Sequence, residues 1–410
     1  MRRVTVTYHR VAREHFESLA TGASSSGAMA ELAGAEYSKN LLMLQAIAAA
    51  GRGDETVRAG CALLARVESI DPGAVRTVIS HPSFGAWAQH VLRGTGPSPR
   101  QLAAVAAAAA IRAGVQAEIE VPAGRGHVVM PTLGAAAADG TSATVRTTSG
   151  GAEIGQVTIG GPGWVPLRRV KPGARELLID DVDPYRMPAV PTLAPRLSDA
   201  QAREWERSLG DAWALLRTHH PDTADEVDAA VTVLVPHATP DSGHSSATTA
   251  ETFGAVALSE PTDTCRIAES LTHEVQHLKL FALLDVVTMT LPDEQLYYAP
   301  WRPDPRPLTG LLQGAYAFLG VSGFWRRQRF LVDDELSGHT EFAKWLDATW
   351  LVIQTLLGSG MLTPAGADFV QGMARTARGW RKDPVPERAR AAAAEQARSH
   401  RERWERENAV

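Results

Sequence analysis

The change in hydrophobic period along this chain restricts its fold more than any other feature. Residues 30 to 115 place apolar side chains at helical spacing, as in Leu41, Leu42, Leu44 and Ile47 and then Val57, Cys61 and Leu64, with Gly and Pro punctuating the runs. From about 117 to 182 the texture shifts to short β-prone runs: Ala117 to Val121, His127 to Met130, Thr144 to Thr148, Ile154 to Ile159 and Leu177 to Ile179, separated by Gly-rich turns. Pro184, Pro188, Pro191 and Pro195 then lead into a helical pattern of Trp205, Leu209, Trp213 and Leu216. Beyond it come a strand at Val231 to Val235, a Ser/Thr/Gly loop at 239–250, a strand at Ala255 to Leu258, and helices at about 263–287, 308–330 and 340–358. The expected fold is α+β, mainly helical with a small mixed or antiparallel sheet region. Its expected parts are an N-terminal helical region (1–115), a small β-rich region (116–190), a catalytic region (191–370) and a charged helical tail (371–410) without catalytic role.

Composition narrows the function classes. A formal charge of -5 offers no electropositive footprint with which to neutralise phosphates, so nucleic acid is not an expected partner. The two cysteines, Cys61 and Cys265, are too few for a disulfide framework and suit a reducing cytoplasm. After Met1-Arg2-Arg3 no apolar signal region develops, and the longest apolar stretches, near Ala103 to Ala110 and Leu278 to Val287, are too short to span a bilayer. A cytoplasmic location away from membranes is expected.

Chemistry concentrates in Leu271-Thr272-His273-Glu274-Val275-Gln276-His277-Leu278, a His-Glu-x-x-His motif within the helix expected at 263–287. Side chains four apart on a helix point the same way one turn apart, so His273 and His277 can share one metal ion. Ile267, Leu271, Val275 and Leu278 form an apolar stripe that buries the helix, while Ser270, His273 and His277 lie on the neighbouring stripe at a cleft edge. In zincin-like hydrolases such a pair and a third ligand leave one position for water, with the intervening Glu, here Glu274, as general base. The strand Ala255 to Leu258 matches the edge strand on which such enzymes hold an extended peptide. The third ligand is open: Glu294, Asp304, Glu335 and Glu341 are all candidates.

Further strings extend beyond the motif: His81-Pro82 with Trp87, Val129-Met130-Pro131-Thr132, Trp164-Val165-Pro166-Leu167-Arg168, Asp180-Asp181-Val182-Asp183-Pro184-Tyr185-Arg186, Ser245 to Pro261, and Trp301-Arg302-Pro303-Asp304-Pro305-Arg306-Pro307. Together with the motif they cover about residues 15 to 370. In them the chain resembles actinobacterial HExxH-motif proteins encoded beside radical-SAM maturases and short precursor peptides, a family described as 2-oxoglutarate-dependent peptide β-hydroxylases.

The resemblance implies Fe(II) on His273 and His277, chelated by 2-oxoglutarate, and hydroxylation of a side-chain β-carbon in a ribosomally made precursor peptide. A radical-SAM maturase acting on the same peptide would be a partner. Arginine suits the distal carboxylate of 2-oxoglutarate, and Arg302 and Arg306 are the candidates. Where relatives carry Leu-Leu-His-Gly this chain has Leu311-Leu312-Gln313-Gly314, which makes Gln313 a candidate, if weaker, third ligand. A zinc peptidase with Glu274 as base and a non-catalytic peptide-binding protein are the alternatives. Trp301 and its prolines fit either a rigid loop or a substrate contact. Asp180, Asp181 and Asp183 read as a self-bonded turn rather than a metal site, and His81 and His127 as structural.

Overall fold

A computed structural model describes residues 9–148, 151–240, 243–260 and 263–408. Outside them lie Met1 to Tyr8, positions 241–242 of the Ser/Thr/Gly loop, and Pro261 of the Ser245 to Pro261 string. Helix dominates, with short antiparallel and mixed sheets, so the α+β class holds. Among the described residues no helix is long and apolar enough to cross a membrane.

The chain forms two compact units, each discontinuous in sequence: 1–33, 211–230 and 263–410 make one, 34–210 and 231–262 the other. The second unit is built around the helix Leu102–Ala113, whose residues from Leu102 to Ala110 are at most 1% exposed. Alanine there allows close approach on every side: a side chain added at Gly60 would lie 3.1 Å from the backbone of Ala103. Against this helix pack Val57, Leu64 and Val67, then Ile119, Val128, Val145 and Ile154 from the strands.

The β-prone runs pair as hairpins. Ala117–Pro122 lies antiparallel to Ser142–Thr148, which continues to Gly151–Ile154 and Val157–Thr158. The last two split the run expected at Ile154 to Ile159, because Gly155, at φ 58, reverses the chain there. His127–Met130 pairs with Gly134–Ala137, which pairs in turn with Trp164–Pro166.

A five-stranded mixed sheet joins strands expected in separate regions. Leu177–Ile179 and Ala255–Leu258 both run parallel to Val233–Pro236, and Ser246–Ala247 closes one edge. Ala255–Leu258 is therefore an interior strand, paired on both sides and fully buried. Val233–Pro236 pairs all four of its residues and Ser246–Ala247 covers Ala257 and Leu258, so the strand is not the expected peptide-binding edge strand.

The other unit is helical. Its motif helix, Thr264–Leu284, is capped by Asp263, whose side chain accepts from the Arg266 N–H at 2.8 Å. Ile267, Leu271, Val275 and Leu278 are all 0% exposed, as the stripe required. Leu308–Gln328 packs beside it, followed by Glu335–Gly358, Pro364–Trp380 and Glu387–Glu407. The tail divides in character: Met373 and Ala377 are core, whereas Glu387–Glu407 buries only Ala389 and Ala393.

Candidate metal centre

His273 and His277 converge. Their Nε2 atoms lie 3.1 Å apart, one imidazole donating to the other. With metal–nitrogen distances of about 2.0–2.1 Å, two nitrogens so placed subtend about 100° at a shared ion, between the octahedral and tetrahedral angles. Both residues are part-buried, and the surrounding packing pushes both pKa values down to about 4, through burial in each case. For His277 the neighbouring His273 adds to the fall and Glu274 opposes it. Both rings are therefore neutral at pH 7, the state a metal ligand requires.

An aromatic shell backs the pair. Phe318, from Leu308–Gln328, meets the His273 ring edge-on with centroids 4.9 Å apart. Phe318 is itself stacked on Trp301 at 4.7 Å and on Trp345, from Glu335–Gly358, at 4.3 Å. Phe281 stacks on His277. Close approach of the loop requires Gly314, because a Cβ there would lie 2.5 Å from the Trp301 ring. The Gly in Leu311-Leu312-Gln313-Gly314 thus has a packing role of its own.

The third ligand is not assembled: among the described residues no group of three or more His, Cys, Asp or Glu side chains can hold one ion. Glu294 and Glu335 are exposed. Asp304 is ion-paired with Arg302 at 3.0 Å and Arg306 at 3.1 Å, and Glu341 with Lys344 at 2.7 Å. Gln313 is half-buried on Leu308–Gln328, five residues before Phe318. Glu274 is 2% exposed.

Arg302 and Arg306 stand on the surface side of their loop, both held by Asp304 with side chains 51% and 39% exposed. A carboxylate clamp works best desolvated, so this arrangement does not fit the distal carboxylate of 2-oxoglutarate without opening that pair. Glu269, one turn before His273, is a carboxylate the motif did not point to. Its pKa is raised, mainly by burial, and Trp325 Nε1 donates to it at 2.8 Å.

The remaining strings make local contacts. Asp180 Oδ1 accepts from the backbone N–H of Val182 and Asp183, and Asp183 Oδ1 from that of Tyr185, as a self-bonded turn requires. Asp181 binds Arg196 and the Leu197 N–H. His81 stands at the N-cap position of its helix without a side-chain bond to the helix backbone, its Nδ1 is bonded to the Ser83 hydroxyl, and burial pushes its pKa down to about 3. His127 is exposed and bonds the Arg125 carbonyl. Thr132, in the Val129 to Thr132 turn, takes a left-handed φ of 70, held by Arg112 through its hydroxyl and carbonyl.

No protein-family profile and no curated protein matches the chain.

Proposed function

We propose that the chain is a metal-dependent enzyme that holds one divalent ion between His273 and His277. The observation that carries this is the 3.1 Å convergence of two neutral imidazole nitrogens. Its reaction, on this reading, is Fe(II)- and 2-oxoglutarate-dependent hydroxylation of a side-chain β-carbon in a ribosomally made precursor peptide. The motif and the Trp301 to Pro307 string support the choice.

An iron held there would supply activation of O2, the oxidant: one oxygen atom would go into the C–H bond to give C–OH and the other into succinate, as 2-oxoglutarate, the two-electron co-reductant, is oxidised with loss of CO2. The chain's own residues do the rest. Burial keeps the imidazole nitrogens unprotonated, and Phe318, backed by Trp301 and Trp345, packs edge-on with the His273 ring.

The test is metal analysis of protein purified without oxygen, followed by incubation with Fe(II), 2-oxoglutarate and candidate precursor peptides. Gain of one oxygen atom on an intact peptide, dependent on 2-oxoglutarate, is expected. Two fragments summing to peptide plus water would replace the oxygenase by the peptidase, and protein that takes up neither iron nor zinc would remove the metal centre.

A further inference from the structure

The Tyr298 to Pro307 loop is the turn of a hairpin only two residues to a strand, Leu296–Tyr297 paired with Arg306–Pro307. So short a ladder does not hold itself in water. The loop is fixed instead from two sides. On one, Trp301 stacks on Phe318, which meets His273. On the other, the far end of Glu387–Glu407 grips it. The Tyr298 hydroxyl lies 2.9 Å from His400 Nδ1, its ring meets Trp404 edge-on at 5.1 Å, and the Arg401 guanidinium sits 4.4 Å over the same ring. Asn408, just past the helix, donates to the Pro303 carbonyl at 2.8 Å.

The grip of this helix on the unit is uneven. Its root is fixed: Asp383 accepts from Arg326 at 2.7 Å, and Arg329, 2% exposed, donates to the Pro384 carbonyl at 3.2 Å. Within the helix only Ala389 and Ala393 are buried. Between it and the unit lies a hollow of about 830 Å³, with Ala393, Ala394 and Ala397 on the helix side and Trp301 and Trp345 on the other. Two buried methyl groups are little to set against the entropy of ordering a 21-residue helix, and segments so held are the first to open locally.

We propose that Glu387–Glu407 is a releasable strap on this loop. It lifts as one piece while the helices beneath stay folded, opens the hollow, and lets the loop that carries Arg302 and Arg306 take up other positions. Arg326 and Arg329 keep its root in place, so the strap can return to the same seat. That the released arginines then meet 2-oxoglutarate rests on the proposed function; the release itself rests on the packing alone.

The test is native-state hydrogen exchange of the full chain without added metal, read by mass spectrometry across sub-denaturing urea concentrations. Residues 391–407 should exchange together, with one urea dependence, about 100-fold or more faster than Thr264–Leu284 and Leu308–Gln328. The Arg302 amide, which donates to the Ala299 carbonyl at 3.1 Å, should open in the same step. Tyr298→Ala and His400→Ala each remove the grip from one side. Either should speed exchange of the helix and of Arg302 about tenfold or more and leave the motif helix unchanged. As a second measure, Ala393→Cys, at a position 3% exposed in the docked helix, should be alkylated at the rate of release, and faster when combined with Tyr298→Ala.

Exchange of residues 391–407 only in step with the motif helix would make the helix a fixed part of the unit and overturn the proposal. So would a rate that climbs steadily toward Glu407 while Arg302 stays protected, which is fraying of a helix end. Release of the helix in Tyr298→Ala with the Arg302 amide unmoved would separate strap from loop and overturn it equally. None of these outcomes depends on a bound metal, so the strap and the metal centre can fail separately.

Discussion

Lys279 offers the sharpest test of how the motif helix is held. It lies two residues after His277, is 0% exposed, and donates to Glu226 at 2.7 Å and to the Gly22 carbonyl at 3.1 Å. Gln276 donates to the same carbonyl at 3.1 Å, and Ser24 donates to the other Glu226 oxygen at 2.8 Å. Burial lowers the Lys279 pKa and the carboxylate opposes the fall. Lys279→Met removes one charge and leaves Glu226, 5% exposed, without its counter-ion.

Breaking a buried pair in this way costs about 3–5 kcal/mol, mostly because the remaining charge is uncompensated. In a unit of about 200 residues each kcal/mol moves the midpoint by roughly 2–4 °C, so a fall of about 6–20 °C is expected. The double variant Lys279→Met/Glu226→Met removes both charges and should recover most of the loss. Urea and thermal melts of both proteins at pH 7 measure this. A single variant within about 1 kcal/mol of wild type, or a double variant no better than the single, would refute the reasoning.

Three further outcomes follow from the site. His273→Ala and His277→Ala should each abolish stoichiometric metal uptake in equilibrium dialysis, and full occupancy in either removes the assignment. Because the folded pKa of both histidines, about 4, lies below the ordinary 6.5, their contribution to stability is present above pH 6.5 and lost as pH falls through 4. For the coupled, partly accessible pair this amounts to about 3 kcal/mol in order of magnitude; His273→Gln/His277→Gln should flatten that part of the urea-midpoint profile, and a variant with the wild-type profile would count against it. Gly314→Ala, which sets a Cβ 2.5 Å from Trp301, should cost about 1–3 kcal/mol and shift tryptophan emission, so unchanged melting and emission would show that the loop yields freely.

Much of the fold was legible because period and burial coincide. Trp205, Leu209, Trp213 and Leu216 are at most 2% exposed on one helix, and His127 to Met130, Ala255 to Leu258 and Leu177 to Ile179 form strands at the expected residues. What escaped is informative. Gly134–Ala137 is a strand of alanines, a residue with little preference for sheet, and its state is set by pairing to His127–Met130 and Trp164–Pro166. Strand order escaped for a related reason. Nothing local in Ala255 to Leu258 tells that Ser246–Ala247 will cover its free side, and the short covering strand carries no hydrophobic alternation.

The candidate centre divides along the same line. Two donors four residues apart are a property of one helix, so sequence alone places them together, and the 3.1 Å separation follows from helical geometry with suitable rotamers. Everything else at the site comes from other elements. Phe318 reaches His273 from a second helix and is itself stacked on Trp301 from a loop and Trp345 from a third helix, and no spacing in the chain announces that meeting. The Arg302 and Arg306 expectation shows the converse hazard. Two arginines flanking Asp304 read as a free carboxylate clamp until the carboxylate between them is seen to take both guanidinium groups. For an exposed pair that engagement is weak, on the order of 1 kcal/mol or less, so a carboxylate ligand can compete for either guanidinium only if binding also desolvates the loop. The metal pair can therefore be tested from the motif alone, whereas a clamp assignment depends on what the Trp301 to Pro307 loop does when a ligand arrives.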